Sequence, residues 1–152
     1  MIETTTCDVV KLDTISDRAL HEAGHGVAAF RYGIGVRRVS LDECEIEPPG
    51  DFLEQGRHHG SLAVAYAVIA LAGHAAAPKT GLSKSDELLL EYAFFLGSWS
   101  HHRDELRRAF SVLAEDFVHS HLEEIEAVAI VLEERRSLPG DEVVEIFGSM
   151  GQ

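Results

Sequence analysis

Cysteine is scarce in this chain: Cys7 and Cys44 are the only two among 152 residues. Two are too few for a disulfide framework, and their spacing fits no zinc ribbon. Basic residues are also few, 13 Lys and Arg against 26 Asp and Glu, for a net charge of −13. That balance argues against nucleic acid or an anionic membrane as partner and favours solubility. Long apolar runs are missing, since the longest, 62–77, spans 16 residues and contains His74. It falls short of a bilayer span, and no charged-then-apolar leader opens the sequence. A phosphate-binding Gly-x-x-x-x-Gly-Lys-Ser/Thr loop is absent too. The expectation is a soluble, cytoplasmic chain forming a single domain over 1–152, with the polar, Thr-rich 1–14 as a loose arm or short edge strand. Apolar residues make up 45% of the whole, enough to fill a core.

What is present is concentrated in five residues, His21-Glu22-Ala23-Gly24-His25. Two histidines four apart on a helix project from one face about a turn from each other, so both imidazoles reach one ion. The intervening Glu is then placed to take a proton from water activated by that ion, the arrangement of a zinc hydrolase. The local sequence supports a helix over about 16–32. Ser16 is a candidate N-cap, and Asp17 follows at the positive end of the helix dipole. Leu20, Ala23, Val27 and Phe30 recur at helical intervals, and Gly33 offers a stop. The competing reading is a surface helix carrying two solvated histidines and a salt-bridged Glu22.

The rest of the pattern is mainly α, with a small two- or three-stranded β element after the first helix. Residues 36–41 read as a strand and the acidic 42–54 as a loop broken by Pro48-Pro49-Gly50, while 57–61 is a candidate second strand. An Ala-rich helix follows over 62–77, stopped by Pro78. A Gly/Ser/Thr loop over 79–85 leads into a helix at 86–96. From about 103 the pattern is helical almost to the end, with breaks at 119–121 and at Leu138-Pro139-Gly140, and a last short helix over 141–147.

A catalytic zinc needs a third protein ligand. Spacing leaves Asp86, Glu87, His74, His58/His59, His101/His102 and His119 or His121 as candidates. Most have a plainer role. His74 fits a hydrogen-bonded core residue, His58, His59, His101 and His102 fit exposed loops, and Phe94, Phe95 and Trp99 fit the core. His119, His121, Glu123 and Glu124 have spacing for a second metal cluster, but an interrupted, solvated helix is the default reading. The Cys7 and Cys44 surroundings imply no Cys-His chemistry. The acidic run 42–47 reads as a solvated loop, with a preference for basic substrates as the alternative. An extended substrate would pair with the 57–61 strand edge, where His58 or His59 offers a donor to the oxyanion.

Several segments together resemble the proteolytic domain of the FtsH family of ATP-dependent zinc proteases. Leu20-His21-Glu22-Ala23-Gly24-His25-Gly26-Val27-Ala28 is similar to the family's motif helix. Ile69-Ala70-Leu71-Ala72-Gly73-His74-Ala75-Ala76-Ala77 is similar to its Leu-Gly-Gly-Arg-Ala-Ala-Glu helix, with His74 and Ala77 in place of the Arg and Glu. Thr80-Gly81-Leu82-Ser83-Lys84-Ser85-Asp86 resembles its Thr-Thr-Gly-Ala-Ser-Asn-Asp loop, and Leu138-Pro139-Gly140-Asp141-Glu142-Val143 its closing Leu-x-Gly-x-Glu-Val turn. The likeness runs in order over about 16–147. It implies a helical zinc metalloendopeptidase in which His21, His25 and Asp86 bind Zn2+ and Glu22 is the general base. It further implies a peptide or unfolded protein as substrate, with a separate ATPase or a homo-oligomer as candidate partner, because the family's ATPase module and membrane anchor have no counterpart here. Asp86 also closes a Ser83-x-x-Asp86 capping box, so helix initiation competes with ligation as its role. Two further functions stay open: a regulatory zincin cutting one dedicated protein, and a non-catalytic zinc-binding interaction module for which Glu22 would be dispensable.

Overall fold

The structure, a computed structural model, describes residues 15–150. The expected arm at 1–14, and Cys7 with it, lies outside the described residues. Helix α1 (Asp17–Arg31) starts where its cap chemistry dictates: the Ser16 hydroxyl accepts from the Ala19 N–H at 3.1 Å. Strands β1 (Val36–Ser40) and β2 (Cys44–Ile46) follow, then the short α2 (Pro49–Glu54) and the long α3 (His59–Ala76). A single 3-10 turn at Pro78–Thr80 leads to α4 (Lys84–Gly97), α5 (Arg103–Ser120) and α6 (Leu122–Arg135). Strand β3 (Ser137–Pro139) and α7 (Gly140–Met150) close the described chain. The fold is mainly α with a small sheet, as the sequence pattern implies.

The sheet is antiparallel in the order β2-β1-β3. Val39 pairs with Cys44 on one side and with Leu138 on the other, and a bulge between Val36 and Arg38 bends β1. Among the described residues β2 is therefore an edge, and the Tyr66 hydroxyl of α3 ties its end down by donating to the Glu47 carbonyl at 2.8 Å.

Helix α3 is the hub, packing against α1, α4 and α5. From Leu62 to Gly73 it is apolar and buried on nearly every side, as a core helix is expected to be. By length and mean hydropathy of 1.3 it would also suit a bilayer, yet 61% of it is buried inside this protein, as befits a core helix. Small residues let α1 approach it closely. A Cβ on Gly24 would lie 2.8 Å from the Ala72 carbonyl oxygen and 3.0 Å from the Ala76 Cβ. That obstacle is backbone and cannot swing aside. We expect Gly24→Ala to lower unfolding free energy by about 1–3 kcal/mol, read from urea denaturation, despite alanine's better helix propensity.

Several expectations are corrected. Residues 57–61 form no strand: Arg57 and His58 are loop, with His58 capping α3 through its ring nitrogen, and α3 begins at His59. The presumed acidic loop contains β2 and α2, the latter opened by Pro49, whose fixed φ suits a first helical turn. The break at Leu138-Pro139-Gly140 is partly β3, which among the described residues is a sheet edge, a place that tolerates Pro139. Phe95 is no core residue but 77% exposed, on a face of α4 shared with Leu88 and Tyr92. Phe94 is buried, with Trp99 and Phe110 against its ring.

Candidate metal centre

Helix α1 carries His21, Glu22 and His25 into the interior rather than onto the surface. Their exposures are 6%, 9% and 5%, and Asp86, from the first turn of α4, is 7% exposed. This overturns the surface-helix alternative. The Nε2 atoms of the two histidines lie 3.0 Å apart. Asp86 meets both, its Oδ2 at 3.0 Å from His21 Nε2 and its Oδ1 at 3.0 Å from His25 Nε2. The capping box at α4 is also formed: Ser83 Oγ accepts from the Asp86 N–H at 3.1 Å, and Asp86 Oδ2 accepts from the Ser83 N–H at 3.0 Å. Asp86 thus both starts its helix and faces the imidazoles, and the cap holds its carboxylate in place.

The far side of each ring decides which atoms face inward. His25 Nδ1 donates to the Ile69 carbonyl at 2.6 Å, because a carbonyl can only accept. A neutral His25 then presents a bare Nε2. His21 Nδ1 contacts the Thr80 hydroxyl at 2.6 Å. The inward-facing set is two imidazole nitrogens and a carboxylate, of which the carboxylate and the Nε2 of a neutral His25 are acceptors. Acceptors at 3.0 Å from one another repel unless a cation or a shared proton lies among them.

The local charges respond accordingly. Burial would lower the His25 pKa, but the hydrogen bond and charge of Asp86, helped by Glu22, outweigh it and raise it. Burial would raise the Asp86 carboxyl, yet its bonds to His21 and His25 hold it well below the usual carboxylate range. Glu22 is pushed up by burial, against the opposing pull of the two imidazoles.

Two further features fit a divalent ion. Helix α3 passes the paired Nε2 atoms at Gly73, where a Cβ would crowd His25 Nε2 and come within 2.7 Å of His21 Nε2. Space next to both nitrogens is kept open by the missing side chain. In addition, Glu22 Oε2 is buried with no hydrogen-bond partner. Ligand atoms of His21, Glu22 and His25 lie within 4.8 Å of one another, so Glu22 is itself near enough to be considered a ligand. Asp86 is preferred because it touches both imidazoles at 3.0 Å, which leaves Glu22 free for proton transfer. Two imidazoles and one carboxylate make a set that suits zinc and leaves a coordination position open.

The centre opens into a cleft of about 280 Å³ lined by Glu22, His25, Cys44, Ile46, Ile69 and Leu89 among others. A larger cavity of about 460 Å³, between Arg31, His119, Glu123 and Phe147, holds none of the clustered groups. The smaller cleft is therefore the better site. Cys44 faces the cleft with its thiol held protonated, chiefly by burial and then by the negative charge of Glu22 and Asp86.

The remaining ligand candidates go elsewhere. Glu87 is taken by Arg107 at 2.8 Å, and His58, His59, His101, His102 and His119 are exposed. His74 is half-buried, and its Nδ1 is buried without the hydrogen bond expected of a core histidine. The His119 to Glu124 group does not gather: His121 Nδ1 donates to Phe117 and Glu124 pairs with Arg31. Sequence reasoning passed over Gly73 and Thr80 as functional positions. The one available signal for Thr80 is its place in the turn six residues ahead of Asp86.

Compared with known proteins, the chain matches no family model and no curated protein.

Proposed function

We propose that this chain is a zinc-dependent metallopeptidase resembling the proteolytic domain of FtsH-type proteases, with His21, His25 and Asp86 as metal ligands and Glu22 as general base. The observation that carries the reading is the meeting of two imidazole Nε2 atoms and one carboxylate at 3.0 Å beside an unpartnered buried Glu22 oxygen. Zinc held there would act as a Lewis acid, lowering the pKa of water toward about 7 and polarising a carbonyl.

The chain's own groups do the rest. Glu22 Oε2, which spends its lone pairs on no other donor, accepts a proton from the attacking water. It then returns that proton to the leaving amide nitrogen. In the metal-free chain, burial raises its pKa. Strand β2 supplies the substrate platform in place of the 57–61 segment. Its inner side is paired with β1, no strand pairs its outer side among the described residues, and Cys44 and Ile46 reach the cleft from it. An extended peptide adding to that edge would run past the paired imidazoles. Ile46, Ile69 and Leu89 would then receive apolar side chains.

The test is metal content together with cleavage. Purified protein should hold about one zinc per chain, and an unfolded protein substrate should be cut. A strong chelator should stop the cutting and added zinc restore it. A chain that takes up no divalent ion, or that cuts equally well in chelator, would end the proposal. Zinc uptake with no cleavage of any unfolded substrate would instead favour the interaction module.

A further inference from the structure

We propose that Thr80 is the positioning residue of the centre, its hydroxyl forcing His21 to keep its proton on Nδ1 and to present a bare Nε2 to the ion. This rests on the metal-centre reading above and adds the residue that selects the tautomer.

The argument is one of proton accounting. Thr80 Oγ1 lies 2.6 Å from His21 Nδ1 and 2.7 Å from the Ala77 carbonyl oxygen. Its other neighbour is the Gly81 carbonyl, at 3.4 Å. A hydroxyl owns one proton, and a carbonyl can only accept. At 2.7 Å, Thr80 Oγ1 and the Ala77 oxygen need the hydroxyl proton between them, and giving it to His21 would leave two bare oxygens face to face, so Oγ1 accepts from His21. His21 therefore carries Nδ1–H. A neutral imidazole has only that one proton, leaving a lone pair on Nε2, where Asp86 Oδ2 and His25 Nε2 stand at 3.0 Å.

The two ligating histidines are thus fixed by different means. For His25 the acceptor is the main chain of α3, at Ile69, which no substitution of a side chain removes. For His21 it is a side chain, and only the hydroxyl can play the part. The Ala77 carbonyl receives the Thr80 N–H as well, at 2.9 Å, so the turn after α3 fixes the rotamer and aims the oxygen at His21. Outer partners of this kind are typically worth about 10- to 100-fold in metal affinity.

Removing the hydroxyl would do more than loosen the ring. In Thr80→Val, His21 Nδ1 would face a methyl group and lose its acceptor. Moving the proton to Nε2 would recover a hydrogen bond, because Asp86 Oδ2 waits there at 3.0 Å. The metal-free site would become self-satisfied, with its ligand lone pair capped by a proton. Valine has threonine's shape and residue 80 is exposed, so the fold should tolerate the change.

Zinc affinity by chelator competition, and the His21 ring tautomer from long-range proton–nitrogen NMR of the metal-free protein at mildly alkaline pH, together test this. Thr80→Val should bind zinc about 10- to 100-fold more weakly and show His21 as Nε2–H. Thr80→Ser, which keeps the hydroxyl, should match the parent in both readouts. Parent protein with His21 as Nε2–H, or Thr80→Val with undiminished zinc affinity, would overturn the proposal. Parent protein that shows Nδ1–H but takes up no zinc would sink the peptidase reading while leaving the Thr80 assignment standing.

Discussion

Glu22→Gln is expected to bind zinc about as tightly as the parent and to hydrolyse peptides about 10²- to 10⁴-fold more slowly. The change is nearly isosteric, so the buried position at 9% exposure is refilled without a cavity. What disappears is the ability to accept a proton: one oxygen becomes an NH2 group, and the other is an amide oxygen of negligible basicity. The proposed ligand set of His21, His25 and Asp86 does not include the altered atoms. Steady-state cleavage of an unfolded substrate and zinc titration of the same preparation give both numbers. The result discriminates in each direction. Retained cleavage removes Glu22 as base. Lost zinc would mean that the group of His21, Glu22 and His25, whose ligand atoms fall within 4.8 Å, is the true ligand set. Asp86 would then be left with its capping role alone.

The separation between readable and unreadable features follows the range of the interactions. His21 and His25 are one turn apart, so their convergence is a local consequence of helix geometry, and a five-residue pattern carries it. The Ser16 and Ser83 caps are local as well, and both form as the pattern implies. Asp86 stands 61 positions beyond His25. Its approach depends on α3 packing against both α1 and α4, a tertiary fact that spacing cannot supply. Only the likeness of the 80–86 loop to a family pattern pointed there. The sheet was least legible. Strand β3 is three residues long, contains Pro139 and pairs with β1 about a hundred residues away, so neither propensity nor periodicity marks it. Phe95 shows the converse error. An aromatic at helical spacing reads as core, but α4 turns that face away from α3 and no other element among the described residues covers it. The burial of the His21–His25 helix was also understated, because an amphipathic stripe predicts one covered side. In fact residues from Ala19 to Ala29 are almost all enclosed between α3, α6 and the sheet. Enclosure is what gives the site its force, since imidazole and carboxylate taken out of water gain most from an ion that satisfies them together.

Gly73→Ala should abolish zinc binding at concentrations that saturate the parent, with an affinity loss above about 100-fold, while the metal-free chain stays folded. The added Cβ would press on His25 Nε2 and stand 2.7 Å from His21 Nε2, in the space next to the two lone pairs. Both obstacles are ring ends that can rotate away, unlike the Ala72 backbone oxygen that meets a Cβ at Gly24. The strain is therefore relieved by swinging the imidazoles off their shared point rather than by separating α1 from α3. Folding energetics nearly balance: alanine in a helix interior gains about 0.5–1 kcal/mol over glycine, against an overpacking cost of about 1–3 kcal/mol. Metal-free Gly73→Ala should accordingly unfold within about 2 kcal/mol of the metal-free parent in urea. Parent protein saturated with zinc should pull far ahead of the variant, because ligand that binds only the folded state stabilises it by an amount that grows with the logarithm of its concentration over Kd. A variant that keeps parental zinc affinity would show that the ion is not held between these two nitrogens. Glycine is the costliest choice for the middle of a helix after proline, so its presence at 73 needs a local reason. Its close approach to the Nε2 atoms of His21 and His25 supplies one.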